Sequence, residues 1–320
     1  MGPAVLLTGA SGFVGRAIQK DLVVRGHAVR AATRRAASLA AGSEVFEIDG
    51  IDGTTRWQDG LEGVQVVIHS AARVHVMNDQ EAEPLAAFRK VNVDGTLNLA
   101  RQAAAAGVRR FIFISSIKVN GEGTLPGRPY RADDEPAPAD PYAVSKMEAE
   151  TGLREVARDT GLEVVIIRPV LVYGPGVKAN FLAMMHWLSK GIPLPLGAID
   201  NRRSLVALDN LVDLVRRCMT HPAAANQTFL VSDGDDLSTS CLLRRMALAL
   251  GKPARLVPVP EKLLTLGANL LGRRALAQRL CGSLQVDIEK TRSLLDWAPP
   301  ISVDQALAQT ASHYREHLGQ

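Results

Sequence analysis

The first fifteen residues constrain the fold more than any other stretch. Ala4-Val5-Leu6-Leu7 is an apolar run of the kind buried on both faces of a parallel sheet, and it leads directly into Thr8-Gly9-Ala10-Ser11-Gly12-Phe13-Val14-Gly15. Ala17, Ile18, Leu22 and Val23 then recur at helical spacing, Gly26 ends the helix, and a second strand is predicted from Ala28 to Ala32. A strand, a glycine turn, a helix and a strand together form a start that can bind a dinucleotide. Gly9 permits the tight turn, Gly12 lets the backbone approach a pyrophosphate, Gly15 lets helix and strand pack closely, and the helix N-terminus faces the negative charge. An ordinary glycine-rich turn is the plain alternative, and the flanking strands and helix weigh against it.

A chain of 320 residues can bury a large core, as one elaborate domain or two. Its formal charge of +4 and low aromatic content give no case for nucleic acid and suggest at most a modest anionic ligand. Cys218, Cys241 and Cys281 are far apart and lack metal-ligand spacing, so they are expected to be reduced and mostly buried, with no metal site. The first strand begins too early for a cleavable leader, and no run approaches the roughly 18 apolar residues of a membrane span. A cytoplasmic protein is expected.

The end of the second strand bears on which dinucleotide would be held. An acidic residue there would accept from a ribose 2′-hydroxyl, whereas this chain has Thr33-Arg34-Arg35, which favours a 2′-phosphate, or else a solvated helix start. Further strands are predicted over Val45–Ile48, ending at Asp49-Gly50, and over Val64–His69, ending at Ser70-Ala71-Ala72. Small residues at such an edge let a cofactor pass close by. His69 is expected to be a core residue. A single long helix is predicted over Leu85–Ala106, from which Asn92 could reach the strand ends it crosses. Arg110–Ile114 is the fifth strand, with Ser115-Ser116 at its end. Asp140-Pro141 is a strong helix start, and Tyr142 and Lys146, four apart, project from one face of its first turns. Glu163–Arg168 is the sixth strand, closed by Pro169. The alternation then loosens: a helix over Phe181–Lys190, a short strand and the helix Asp209–Thr220, a strand over Thr228–Val231, and a mostly helical remainder with Ser238 as an N-cap.

Taken together, TGASGFVG, Asn92-x-x-Gly95-Thr96, Ser115-Ser116, Tyr142-x-x-x-Lys146 and Arg203 resemble the extended short-chain dehydrogenases/reductases over essentially the whole chain. Within that superfamily the chain is similar to the nucleotide-sugar epimerases, dehydratases and reductases. The resemblance implies an α/β fold: a doubly wound parallel (Rossmann) sheet with a smaller, mostly helical C-terminal substrate domain. Residues 1–175 and about 205–235 would bind the dinucleotide, and about 176–204 and 236–320 the substrate. It also implies a catalytic triad of Ser116, Tyr142 and Lys146, supported by Asn92. The cofactor would be lined by Gly9, Ser11, Gly12, Phe13, Val14, Gly15, Arg34, Arg35, Asp49, Gly50, Ala71, Ala72, Asn92, Tyr142, Lys146 and Pro169. Asn180 and Arg203 match the positions that hold a sugar-nucleotide diphosphate, and a homodimer is compatible with the family.

The residue types fit that chemistry. A nearby lysine ammonium and a positive nicotinamide would favour the Tyr142 phenolate, making it an acid and base near neutrality. Ser116 would donate to the oxygen where charge develops during hydride transfer. Two departures refine the reading. Sugar-nucleotide 4,6-dehydratases carry Asp-Glu just after the serine or threonine, where this chain has Ile117 and Lys118. Many epimerases carry a tyrosine before the glycine of Val119-Asn120-Gly121.

The run from Ser115 to Gly121 looks most like reductases of UDP-4-keto-6-deoxy-N-acetylhexosamines in surface-polysaccharide (O-antigen, lipopolysaccharide) synthesis. The favoured expectation is therefore reduction of such a C4 ketone to a UDP-N-acetyl-quinovosamine-type sugar, with NADP(H) favoured and NAD(H) admitted. A UDP-hexose 4-epimerase that keeps its NAD is the alternative, and a catalytically silent redox sensor is a third. Leucine-rich segments over 261–284 read either as core helices or as a basic lid that brings Arg279 to the substrate phosphates.

Overall fold

The computed structural model describes residues 2–34, 42–74, 83–125, 127–270, 272 and 274–317. Seven strands form one parallel sheet: β1 (Val5–Thr8), β2 (Val29–Thr33), β3 (Glu44–Glu47), β4 (Val66–His69), β5 (Arg110–Ile114), β6 (Glu163–Pro169) and β9 (Gln227–Val231), in the order β3-β2-β1-β4-β5-β6-β9. Between β6 and β9 in sequence, β7 (Leu171–Tyr173) and β8 (Leu205–Ala207) pair as a separate two-stranded sheet. The sheet winds outward from β1 in both directions, so the crevice beyond the carboxyl ends of β1 and β4 is its switch point.

Alternate residues of one strand feed opposite cores. Val5 and Leu7 join Ile18 and Leu22 of α1 (Phe13–Val24) and Leu211 and Leu214 of α7 (Leu208–Thr220) on one face. Leu6 joins Leu99 of α4 (Thr96–Ala105) and Ala149 and Leu153 of α5 (Pro141–Thr160) on the other. Burial on both faces is what lets these strands read as uninterrupted apolar runs.

The expected continuous helix over Leu85–Ala106 is instead broken. It begins as α3 (Pro84–Arg89), widens into a π turn over Lys90–Gly95, and resumes as α4. A Cβ on Gly95 would lie 2.6 Å from Ile51 Cγ2, so only glycine lets the turn press against the 51–52 backbone. Two shorter helical turns, α2 (Gln58–Leu61) and a 3₁₀ turn over Ile117–Val119, complete this half.

A third apolar cluster stands apart from the sheet. It gathers Phe181 and Met185 of α6 (Ala179–Ser189), Leu243 and Met246 of α8 (Thr239–Ala249) and Ala306, Leu307 and Tyr314 of α12 (Val303–His317). Ser238 caps α8 by accepting from Cys241 N at 3.1 Å. The helices α9 (Glu261–Leu270) and α10 (Arg274–Cys281) lie beside this cluster, whereas Leu295 of α11 (Glu289–Leu295) and Trp297 join the core of the sheet. Cys218 and Cys281 are buried and Cys241 half-buried, all as free thiols, and burial pushes the Cys218 thiol up to about 12. No described helix is long and apolar enough to cross a membrane.

Candidate functional site

The glycine turn sits at the switch point. Gly9 has φ +74°, in the left-handed region, and its carbonyl accepts from Gly12 N at 2.9 Å. A Cβ on Gly9 would lie 2.7 Å from Ala71 N, and one on Gly15 would overlap the Gly9 carbonyl. Backbone from β1, α1 and the end of β4 therefore meets here with no room for side chains. Gly12 is the N-cap of α1 with no side-chain cap, and the first turn carries no acidic residue. Uncapped N–H groups facing an exposed Ser11 and Gly12 fit a dinucleotide pyrophosphate. Phe13 and Val14 are half-buried beside them, as are Ala71 and Ala72 after β4.

The outer lining is more open. Arg34 and Asp49 are exposed at the ends of β2 and β3, Gly50 is half-buried, and Pro169 is the half-buried last residue of β6. Arg35 lies outside the described residues.

His69 is a structural residue, as expected. Its Nδ1 meets Thr8 Oγ1 at 2.7 Å and its Nε2 meets Thr96 Oγ1 at 3.0 Å, and burial beside Lys146 pushes it down to about 3. Asn92, on the π turn, is buried: its Oδ1 accepts from Arg73 N at 2.8 Å, and its Nδ2 donates to Arg73 O and Ser145 Oγ, both at 3.0 Å. It thus ties the loop after β4 to α5.

Asp140 starts α5 by accepting from Ala143 N at 2.7 Å, and its other oxygen pairs with Lys118 Nζ. One turn in, the half-buried Tyr142 packs edge-on to Phe88 with ring centroids 6.0 Å apart. Lys146, a turn further, is buried, donates to Ile114 O at 2.9 Å and lies 4.3 Å from the Phe113 ring centroid. Ser116 follows Ile114 by two residues and is half-buried, its Oγ accepting from Lys118 N at 3.2 Å. Lys146 thus ties α5 to the carboxyl end of β5, two residues before Ser116, with Tyr142 one turn earlier on the same helix.

The electrostatics of the edge without cofactor are set by burial. Burial and the Asp140 carboxylate push Tyr142 up to about 12. Burial likewise pushes Lys146 down to about 7 against the opposing pull of Glu150. Desolvation disfavours both charged forms.

A network behind the edge escaped sequence reasoning. Glu150, buried one turn beyond Lys146, accepts from Ser115 Oγ at 2.6 Å and from Arg168 through Nε at 2.9 Å and Nη2 at 2.5 Å. Arg168 also donates to Asn120 Oδ1 at 2.9 Å, and Asn120 donates to Arg131 O at 2.9 Å. The four-residue step from Lys146 to Glu150 was the available signal, since it places both on one helix face.

Of the residues expected at the diphosphate, Arg203 is half-buried between two backbone segments. Its Nη1 donates to Gly282 O at 3.0 Å, and burial lowers its basicity. Asn180 is exposed at the start of α6, and Arg279 is exposed on α10, three residues before Gly282.

The profile of the NAD dependent epimerase/dehydratase family matches residues 5–232. A UDP-glucose 4-epimerase of Vibrio cholerae is 51% identical over 316 residues, covering 98% of this chain and 96% of that protein. Among solved structures, the UDP-glucose 4-epimerase of Thermotoga maritima with UDP-glucose superposes with a TM-score of 0.76 at 23% identity, over 98% of this chain and 99% of the other. The Bordetella bronchiseptica enzyme WbmG in complex with NAD and UDP gives 0.76 at 20% identity, over 99% and 95%. The match to the family covers the whole sheet, from the glycine turn to β9, and the chain is an enzyme of the NAD dependent epimerase/dehydratase family.

Proposed function

We propose that the chain acts at C4 of a UDP-hexose as a 4-epimerase that keeps its NAD through the cycle. The observation that carries this reading is the 51% identity to the Vibrio cholerae UDP-glucose 4-epimerase over nearly the full length of both chains. Bound NAD would supply the hydride acceptor and a positive ring favouring the Tyr142 phenolate. Tyr142 takes the proton of the C4 hydroxyl as hydride leaves and returns it after the sugar has presented its other face. Lys146, held on Ile114 O, places a titratable ammonium behind Tyr142. The Ser116 hydroxyl donates to the C4 oxygen, and Asn180 and the half-desolvated Arg203 hold the diphosphate. The third apolar cluster forms the substrate unit. Purified protein given UDP-glucose and UDP-N-acetylglucosamine tests this reading: inversion at C4 without net consumption of cofactor supports it.

The second reading is the 4-keto reductase. Its support is local: Asn120 stands where many epimerases have tyrosine and is taken up by Arg168 and Arg131, and Arg34 at the end of β2 suits a 2′-phosphate. This reading predicts mole-for-mole oxidation of NADPH by a UDP-4-keto-6-deoxy sugar. It also predicts that Arg34→Ala weakens NADPH about tenfold while sparing NADH.

A further inference from the structure

The smaller helical cluster carries a surface unlike the rest of the chain. The sequence as a whole is nearly balanced, with 37 Lys/Arg against 33 Asp/Glu, yet residues 174–204, 237–286 and 303–317 hold thirteen Lys/Arg against Asp200, Glu261, Asp304 and Glu316. Lys190, Lys252, Arg255 and Lys262 are exposed there. Apolar side chains are exposed beside them. On α9, Leu263, Leu266 and Leu270 are 59%, 57% and 81% exposed, while Leu264 turns toward the helical core. The outward leucines are spaced i, i+3 and i+7, a single stripe distinct from the one that packs.

Backbone hydrogen bonds tie the neighbouring segments to the start of α9. Val257 N donates to Leu194 O at 2.8 Å, Gly197 N donates to Val257 O at 2.9 Å, and Ala198 bridges Pro260, immediately before α9. Ile192 N donates in turn to Trp187 O at 3.3 Å. Trp187, Ile192 and Val257 are all exposed, so apolar and basic groups share the ground from the end of α6 to α9.

We infer that α9 and the adjoining 192–198/255–260 ladder form a docking face for an anionic lipid bilayer. The leucine stripe enters the acyl boundary, the lysines and arginines lie at the phosphate level, and Trp187 sits in the interface. Charge complementarity favours this occupant over a second copy of the chain, which would set the same positive face against itself. The inference does not depend on which reaction the enzyme catalyses.

The test uses the full-length protein with vesicles of phosphatidylcholine alone or mixed with phosphatidylglycerol. Binding is expected only to the mixed vesicles and weakens at high salt. Leu263→Ser/Leu266→Ser/Leu270→Ser should reduce the partition coefficient at least about tenfold, and Lys262→Gln about fivefold. Trp187 provides a readout in the unaltered protein, because Trp57 and Trp297 are buried. Its emission should shift to the blue and be quenched by brominated acyl chains. Failure to bind anionic vesicles, absence of quenching, or equal binding by the folded leucine variant would overturn the inference. So would a leucine variant that only converts dimer to monomer, or protection of α9 amides by UDP without vesicle binding, which would assign the face to a second copy or to a lid.

Discussion

The Lys146 ammonium donates to the Ile114 carbonyl at 2.9 Å, at the last residue of β5 and two residues before Ser116. This hydrogen bond helps fix α5 against the carboxyl end of β5, and it does so with a group that burial drives down to about 7. Because the folded pKa lies below the ordinary 10.5, the unfolded chain binds the extra proton between these values, and this lysine costs stability at low pH. Lys146→Met should therefore stabilise the cofactor-free protein by roughly 2–4 kcal/mol below pH 7, with the gain shrinking toward pH 10.5. Urea unfolding at several pH values measures it. A pH-independent difference would show that the lysine is not desolvated.

Tyr142→Phe removes a hydroxyl and leaves the ring on Phe88. Turnover should fall by about two to four orders of magnitude while cofactor binding is retained. Near-normal turnover in a direct assay of C4 chemistry would remove Tyr142 from the proton relay.

Glu150→Gln tests the network behind that edge. Arg168 would lose its buried carboxylate, and breaking such a pair costs about 3–5 kcal/mol. Denaturant midpoints should fall sharply. An unchanged midpoint would mean that Arg168 finds another partner.

The central strands were legible because they are buried on both faces, which leaves runs such as Phe111–Ile114 with no polar break. Tyr142 and Lys146 were legible because Asp140-Pro141 announces their helix, and helical periodicity then places them on one side. The π turn at Asn92 was not, since it depends on Gly95 meeting Ile51 across the fold. Nor was the Glu150 network, because Glu150 and Arg168 meet only when α5 packs on β6. The raised Tyr142 is of the same kind: spacing brings charges together, but burial decides which proton is held. The choice between epimerase and reductase rested on a few loop residues, and the relative at 51% identity points the other way from them.

Arg203→Ala should raise KM for the UDP-sugar about ten- to hundredfold with kcat nearly unchanged, because a diphosphate clamp contributes mainly uniform binding. Cofactor affinity should not move. Steady-state kinetics with varied sugar nucleotide checks this, and an unchanged KM would take Arg203 out of the site.

The most direct measurement follows deuterium placed at C4 of UDP-glucose. Lifting the hydride from C4 and returning it to the other face of the same sugar predicts UDP-galactose with the label still at C4 and no net reduction of NAD. Loss of the label to the free cofactor pool, or no inversion of any UDP-hexose alongside stoichiometric NADPH oxidation by a 4-keto sugar, would contradict the epimerase account.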